Sequence, residues 1–163
     1  MERQDFERLY SEHAQPLYAF LVYRTRDHAL AEDILADTFV RVLRTSWPFD
    51  RRKASQKTWV YSIALNLLRD YYRREEAEQR AMQRRPAEGA ERADEETWTS
   101  DLADREQLDA ALATLSAEER EALALRYTTD LSMKEIAKLT RSPVATVEAR
   151  IYRALDKLRD LVE

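Results

Sequence analysis

The sequence predicts an all-α protein made of two small helical domains joined by an acidic flexible linker, on three observations. Its 163 residues include one glycine, Gly89, whereas glycine-rich phosphate loops, Rossmann turns and tight hairpins all need backbone at positive φ. Apolar residues recur at three- and four-residue steps, the period of an amphipathic helix. That period lapses between Glu75 and Ser100, where Glu75, Glu76, Glu78, Glu88, Glu91, Asp94, Glu95 and Glu96 gather with Pro86 and Gly89. Domains are therefore expected over residues 1–84 and 101–163, with the linker over 85–100.

Phe6, Leu9, Tyr10 and His13 begin the first helical pattern and Leu17, Phe20, Leu21 and Tyr23 continue it, with Pro16 between them predicting two short helices. Asp27 is a fitting N-cap for a helix to about Thr45, whose apolar stripe is Leu30, Ile34, Leu35, Thr38, Phe39, Val42 and Leu43. Trp47-Pro48 ends it, and the polar, cationic stretch 49–57 reads as a loop before a helix from about Thr58 to near Arg84. Beyond the linker, Leu102, Leu108, Leu112 and Leu115 restore the period. Ser116 with Glu119 and Ser132 with Glu135 then form two capping-box patterns, and Pro143 suits the first turn of a last helix.

The chain has no cysteine, which removes disulfides, thiolate metal sites and cysteine nucleophiles and fits a cytoplasmic protein. His13 and His28 show neither metal-ligand spacing nor an acid–base setting, and no serine sits in a strand-turn elbow. No enzyme, cofactor, metal or small-molecule substrate is expected. The opening MERQDFERLY carries charge at once and does not read as a signal peptide, and no window is apolar enough to span a bilayer.

Two segments point to an anionic partner. Between positions 51 and 74 seven basic residues face one acidic residue, Asp70, a local charge of +6 in a chain of net charge −4. Arg51, Arg52, Lys53 and Lys57 precede Trp59 and Tyr61, and basic residues interleaved with aromatics suit unstacked nucleic acid. The plainer alternative makes Trp59 and Tyr71 core residues and the arginines solvated surface. The second segment, LSMKEIAKLTRSPVATVEARIYRAL, has the layout of a helix-turn-helix, with Arg150 and Arg153 off the apolar stripe of its second helix. Its plainer alternative is a helical hairpin packed for stability alone.

Together these motifs resemble a bacterial extracytoplasmic-function (ECF) sigma factor of the sigma-70 family, over nearly the whole chain. AEDILADTFVRVLR resembles region 2.2, TWVYSIALNLLRDYYRR resembles regions 2.3 and 2.4, and LSMKEIAKLTRSPVATVEARIYRALDKLR resembles region 4.2. The resemblance implies a transcription initiation factor that binds core RNA polymerase at its β′ clamp and β flap and promotes opening of promoter DNA. It implies polymerase contacts at Asp33, Asp37, Phe39 and Arg41, and minus-10 contacts at Arg51, Arg52, Lys53, Ser55, Gln56, Lys57, Trp59, Tyr61 and Asn66. For the minus-35 element it implies Arg141, Val144, Thr146, Glu148, Arg150, Tyr152 and Arg153. An anti-sigma factor, often membrane-linked, is a further implied partner.

The recognition helix departs from the family where Ala145, Glu148, Ala149 and Leu155 replace residues usually glycine, basic or small-polar. Residues 116–163 balance nine basic against nine acidic side chains, so the free protein is expected to bind DNA weakly. Two other readings stay open: a stand-alone helix-turn-helix regulator, and a decoy that occupies polymerase or an anti-sigma factor without initiating.

Overall fold

A computed structural model of the chain describes residues 3–45, 55–82 and 102–162. Among the described residues there are seven helices, α1 (Arg3–Thr25), α2 (His28–Arg44), α3 (Gln56–Ala81), α4 (Leu102–Ala113), α5 (Ala117–Thr128), α6 (Met133–Thr140) and α7 (Val144–Val162). The proposed linker, residues 85–100, lies outside the described residues.

The expectation of two helices around Pro16 is corrected, because α1 runs through it unbroken. An interior proline costs roughly 3 kcal/mol. Leu9, Leu17, Phe20 and Leu21 are nearly or fully buried on the same helix, and each contributes about 1.5–3 kcal/mol, which offsets that cost. Asp27 caps α2 as expected, its carboxylate accepting from the Leu30 N–H at 3.1 Å. The helix expected from Thr58 begins two residues earlier, at Gln56, because Ser55 adopts extended backbone and its hydroxyl accepts from the Thr58 N–H. Gln56 and Lys57 are thus helical rather than part of a loop.

Helices α1, α2 and α3 pack on one another, and α4, α5 and α6 gather around α7. Both capping boxes form, Glu119 and Glu135 each accepting from the backbone N–H of the serine three residues before it. The two bundles are also in contact, α1 lying against α5 and α3 against α6. One continuous apolar core results, running from Leu17 and Leu65 in the first bundle to Leu125, Ile136 and Val147 in the second.

No helix among the described residues is long and apolar enough to cross a membrane.

Candidate nucleic-acid interface

Residues singled out on α2 and α3 divide by helix face. Tyr61 is fully buried against Phe20, with ring centroids 5.7 Å apart, and Phe39 is buried under Phe6 and Tyr10, whose centroids lie 6.2 and 4.8 Å from its own. The minus-10 contact expected at Tyr61 is corrected, and so is the polymerase contact expected at Phe39, whose burial agrees instead with the core stripe that periodicity gave it. Each residue falls on the core side of its helix, where an aromatic ring is worth most out of water. The Tyr61 hydroxyl has no hydrogen-bond partner among the described residues, and burial pushes its phenol well above the ordinary value. Leu43, expected in the core stripe of α2, is instead exposed.

Trp59 is half-buried with part of its ring on the core, and Gln56 and Asn66 are exposed. Arg51, Arg52 and Lys53 lie outside the described residues. Asp33, Asp37 and Arg41 form an exposed stripe on α2, beside two exposed apolar residues: Leu43, and Val40, which periodicity did not single out. Those side chains carry no core function. Val40 lies three residues after Asp37 and three before Leu43, which puts the pair on the same side of α2 as the charged stripe.

In the second bundle Ser132 caps α6, and Arg141 ends it in the left-handed conformation, φ 55° and ψ 40°. The Ser142 N–H then donates to the Ala137 carbonyl at 3.0 Å, and the Pro143 carbonyl accepts from Thr146 and Val147 to begin α7. Val147, Ile151 and Ala154 are buried, while Val144, Leu155 and Leu158 are partly buried against the same core. This anchors α7 by one side. Ala145, Glu148, Tyr152 and Arg153 face outward. Val144 is partly buried against the core, and Thr146 is half-buried. Arg150 bends back to donate to the Ser142 hydroxyl at 2.9 Å.

The structure brings the two candidate surfaces together. The Arg141 guanidinium donates to the Asn66 side-chain oxygen at 3.3 Å, and Arg69, also bonded to Asn66, donates to the Leu139 carbonyl at 2.8 Å. Thr58 donates to Glu135 at 3.0 Å, Lys57 lies 3.9 Å from Asp130, and Arg24 pairs with Glu121 at 3.2 Å. Burial alone would raise the Glu135 pKa, but bonds from the Ser132 N–H, the Thr58 hydroxyl and the Ser132 hydroxyl, with Lys57 nearby, hold it below its ordinary value. Among the described residues no group of three or more metal-ligating side chains assembles.

The family models for sigma-70 region 2 and sigma-70 region 4 match residues 9–78 and 105–158, the two helical bundles. The chain is 30% identical to the ECF RNA polymerase sigma factor SigX of Bacillus subtilis, the match covering 98% of this chain and 84% of that one. It is 32% identical to the RNA polymerase sigma factor CarQ of Myxococcus xanthus, over 96% and 88% of the two chains. In fold it is similar to the sigma factor RpoE in complex with the anti-sigma factor NepR from Bartonella quintana, with a TM-score of 0.82 at 24% identity, over 98% and 97% of the two chains. It is likewise similar to CnrH in complex with the cytosolic domain of CnrY, with a TM-score of 0.70 at 23% identity, over 99% and 89% of the two chains. Both bundles, in this order, are those of a sigma factor, which decides against a stand-alone helix-turn-helix regulator; the chain belongs to the ECF RNA polymerase sigma factors, transcription initiation factors that direct the polymerase to promoters.

Proposed function

We propose that this protein, acting in the cytoplasm without catalysis of its own, assigns promoter opening to its first domain and minus-35 recognition to its second. Residues 1–84 dock on the polymerase β′ clamp through Asp33, Asp37 and Arg41, with Val40 and Leu43 adding apolar contact. The start of α3 then holds the unpaired minus-10 strand. Residues 101–163 place α7 in the major groove of the minus-35 element and touch the β flap, and the acidic segment 85–100 occupies the polymerase's basic channels. An anti-sigma factor covers the same faces when initiation is not required.

The observation that carries this reading is that Lys57, Trp59 and Asn66, which follow the basic stretch 51–53 on one helix, stay out of the core of the first bundle, Asn66 exposed and the other two half-buried, at the seam with the second. Separating DNA strands costs about 1.4 kcal/mol per base-pair step, and stacking one base on an aromatic ring returns about 1–3 kcal/mol. Capture of one or two unstacked bases therefore shifts melting by differential affinity alone, with no hydrolysis.

The test is run-off transcription with core polymerase on candidate promoters, with permanganate footprinting of unpaired thymines. Wild-type protein is expected to give defined transcripts and local melting, both lost in the Trp59→Ala, Asn66→Ala double variant while its circular dichroism stays helical. Duplex binding without polymerase, and no melting on fragments proven competent for initiation, would refute the assignment.

A further inference from the structure

On the reading that α7 enters the major groove, its outer face carries an unusual feature, a lone carboxylate. Glu148 is exposed between Ala145 and Ala149. Its helical neighbours three and four positions away are Val144, Ala145, Ile151 and Tyr152, so no cation on its own helix neutralises it. No ion pair or hydrogen bond reaches it from elsewhere among the described residues. The nearest arginine in sequence, Arg150, is turned away onto the Ser142 hydroxyl.

A carboxylate is acceptor-only and is repelled by phosphate. Carried into a groove, it is tolerated where it meets a donor. The major groove offers two amine donors, cytosine N4 and adenine N6. Adenine sets the N7 acceptor beside its amine, and N7 repels the second carboxylate oxygen; cytosine sets a C5–H there. Ala145 and Ala149, with one-carbon side chains, let the helix backbone approach the base edges on either side of Glu148.

We propose that Glu148 is a specificity determinant, accepting a hydrogen bond from the N4 amine of one cytosine in the minus-35 element, so that this protein selects a C·G pair at that position. The neighbouring methyls of Ala145 and Ala149 favour thymine at the flanking steps, which adds to the same readout.

The experiment uses the full chain with core polymerase on a promoter library randomised at both elements, with the transcripts sequenced. Wild-type protein is expected to enrich cytosine at one minus-35 position by roughly 5- to 150-fold, the range of one base contact. Glu148→Ala is expected to flatten that position alone. Glu148→Gln is expected to move it toward adenine, because a carboxamide can donate to N7 while accepting from N6. A cytosine preference that survives Glu148→Ala, or a uniform gain in transcription across all minus-35 sequences, would mean that Glu148 acts only as a repulsive charge, and would overturn the proposal. An absence of transcripts from the whole library would instead overturn the initiation reading, and the proposal with it.

Discussion

Glu121 is the keystone of the seam between the two domains, and replacing it by glutamine is expected to open them. Its carboxylate receives Arg24 Nε at 3.2 Å, with the two side chains only 14% and 12% exposed, and it also attracts Arg69. Arg24 is fixed from its other side by the Tyr72 ring, whose centroid is 5.2 Å from the guanidinium carbon. Arg24 and Arg141 both repel Arg69. Glu121→Gln keeps the shape of the side chain and leaves three arginines facing each other. Removing one partner of a well-buried pair costs about 3–5 kcal/mol, and of an exposed one about 0–1. For this geometry a loss of about 2–3 kcal/mol is expected, a shift of roughly 30- to 150-fold in the closed-to-open ratio. The chain has no cysteine, so Ala36→Cys and Asp156→Cys, both at exposed positions, give a unique dye pair across the seam for single-molecule energy transfer. Parent protein is expected in one high-transfer state and Glu121→Gln in a broad low-transfer distribution that spreads further with salt. Unchanged transfer, with a coupling below about 0.5 kcal/mol in the Arg24–Glu121 double-mutant cycle, would sink the reasoning. The consequence for promoter binding is geometric. Elements centred 25 base pairs apart lie about 85 Å apart along B-form DNA at 3.4 Å per step, a span that two domains in direct contact do not reach.

Further expectations come from single side chains. Tyr61→Phe removes a hydroxyl that is buried without a partner, and is expected to leave stability unchanged or raise it by up to about 1 kcal/mol in urea unfolding; a loss above 1 kcal/mol would argue against the buried placement. Glu119→Gln cuts the 2.6 Å bond from Lys157 and weakens the α5 capping box, for an expected loss of about 1–3 kcal/mol by the same assay. Burial alone would raise the Glu119 carboxyl's pKa, but bonds from Lys157 and Ser116 hold it below its ordinary 4.5, so its contribution is complete above that pH and is lost on acidification through the lowered folded value. Acid titration of wild type against Glu119→Gln should therefore converge at low pH, and parallel curves would contradict the assignment. Val40→Glu with Leu43→Glu, both on exposed positions of α2, is expected to weaken polymerase binding at least tenfold in a pull-down titration while leaving the melting temperature within a few degrees; unaltered binding would move the clamp contact elsewhere.

Much of the fold was legible in the sequence because its signals were local. Asp27, Ser116 and Ser132 each marked a helix start where the structure has one, since an N-cap needs only residues three or four positions away. The reading at Pro16 went wrong because what keeps α1 intact is the burial of Leu17, Phe20 and Leu21 against other helices, which no local signal reports. Glycine scarcity correctly disfavoured β-rich and nucleotide folds, yet the chain still uses positive φ, at Arg26 and Arg141. For the site, a ring beside basic residues reads the same whether it faces solvent or core. The three- to four-residue phase already put Phe39 in a core stripe, whereas Tyr61 is assigned inward only once the neighbouring helices are placed. The pairing of Asn66 with Arg141, 75 positions apart, had no local signature at all.

That pairing and the charge balance of the second domain bear on one question: where promoter affinity comes from. On α7 and the turn before it, Arg141 is engaged by Asn66, Arg150 by Ser142 and Lys157 by Glu119, which leaves Arg153 and Arg159 as exposed cations against the exposed Glu148, Asp156 and Asp160. Few cations remain to displace counterions from phosphate, so the salt-dependent part of the affinity is expected to be small and duplex binding by the free protein weak. Tethering changes this without any new contact. Once the first domain is held on polymerase, the second meets its element at an effective concentration in the millimolar range, and a weak contact becomes an occupied one. Under that arrangement non-specific phosphate attraction adds little, and an unpaired carboxylate at position 148 costs less affinity than it would in a free repressor. The base edge, rather than the backbone, then carries the larger share of discrimination. A domain with balanced charge is suited to choosing among promoters that the polymerase has already approached.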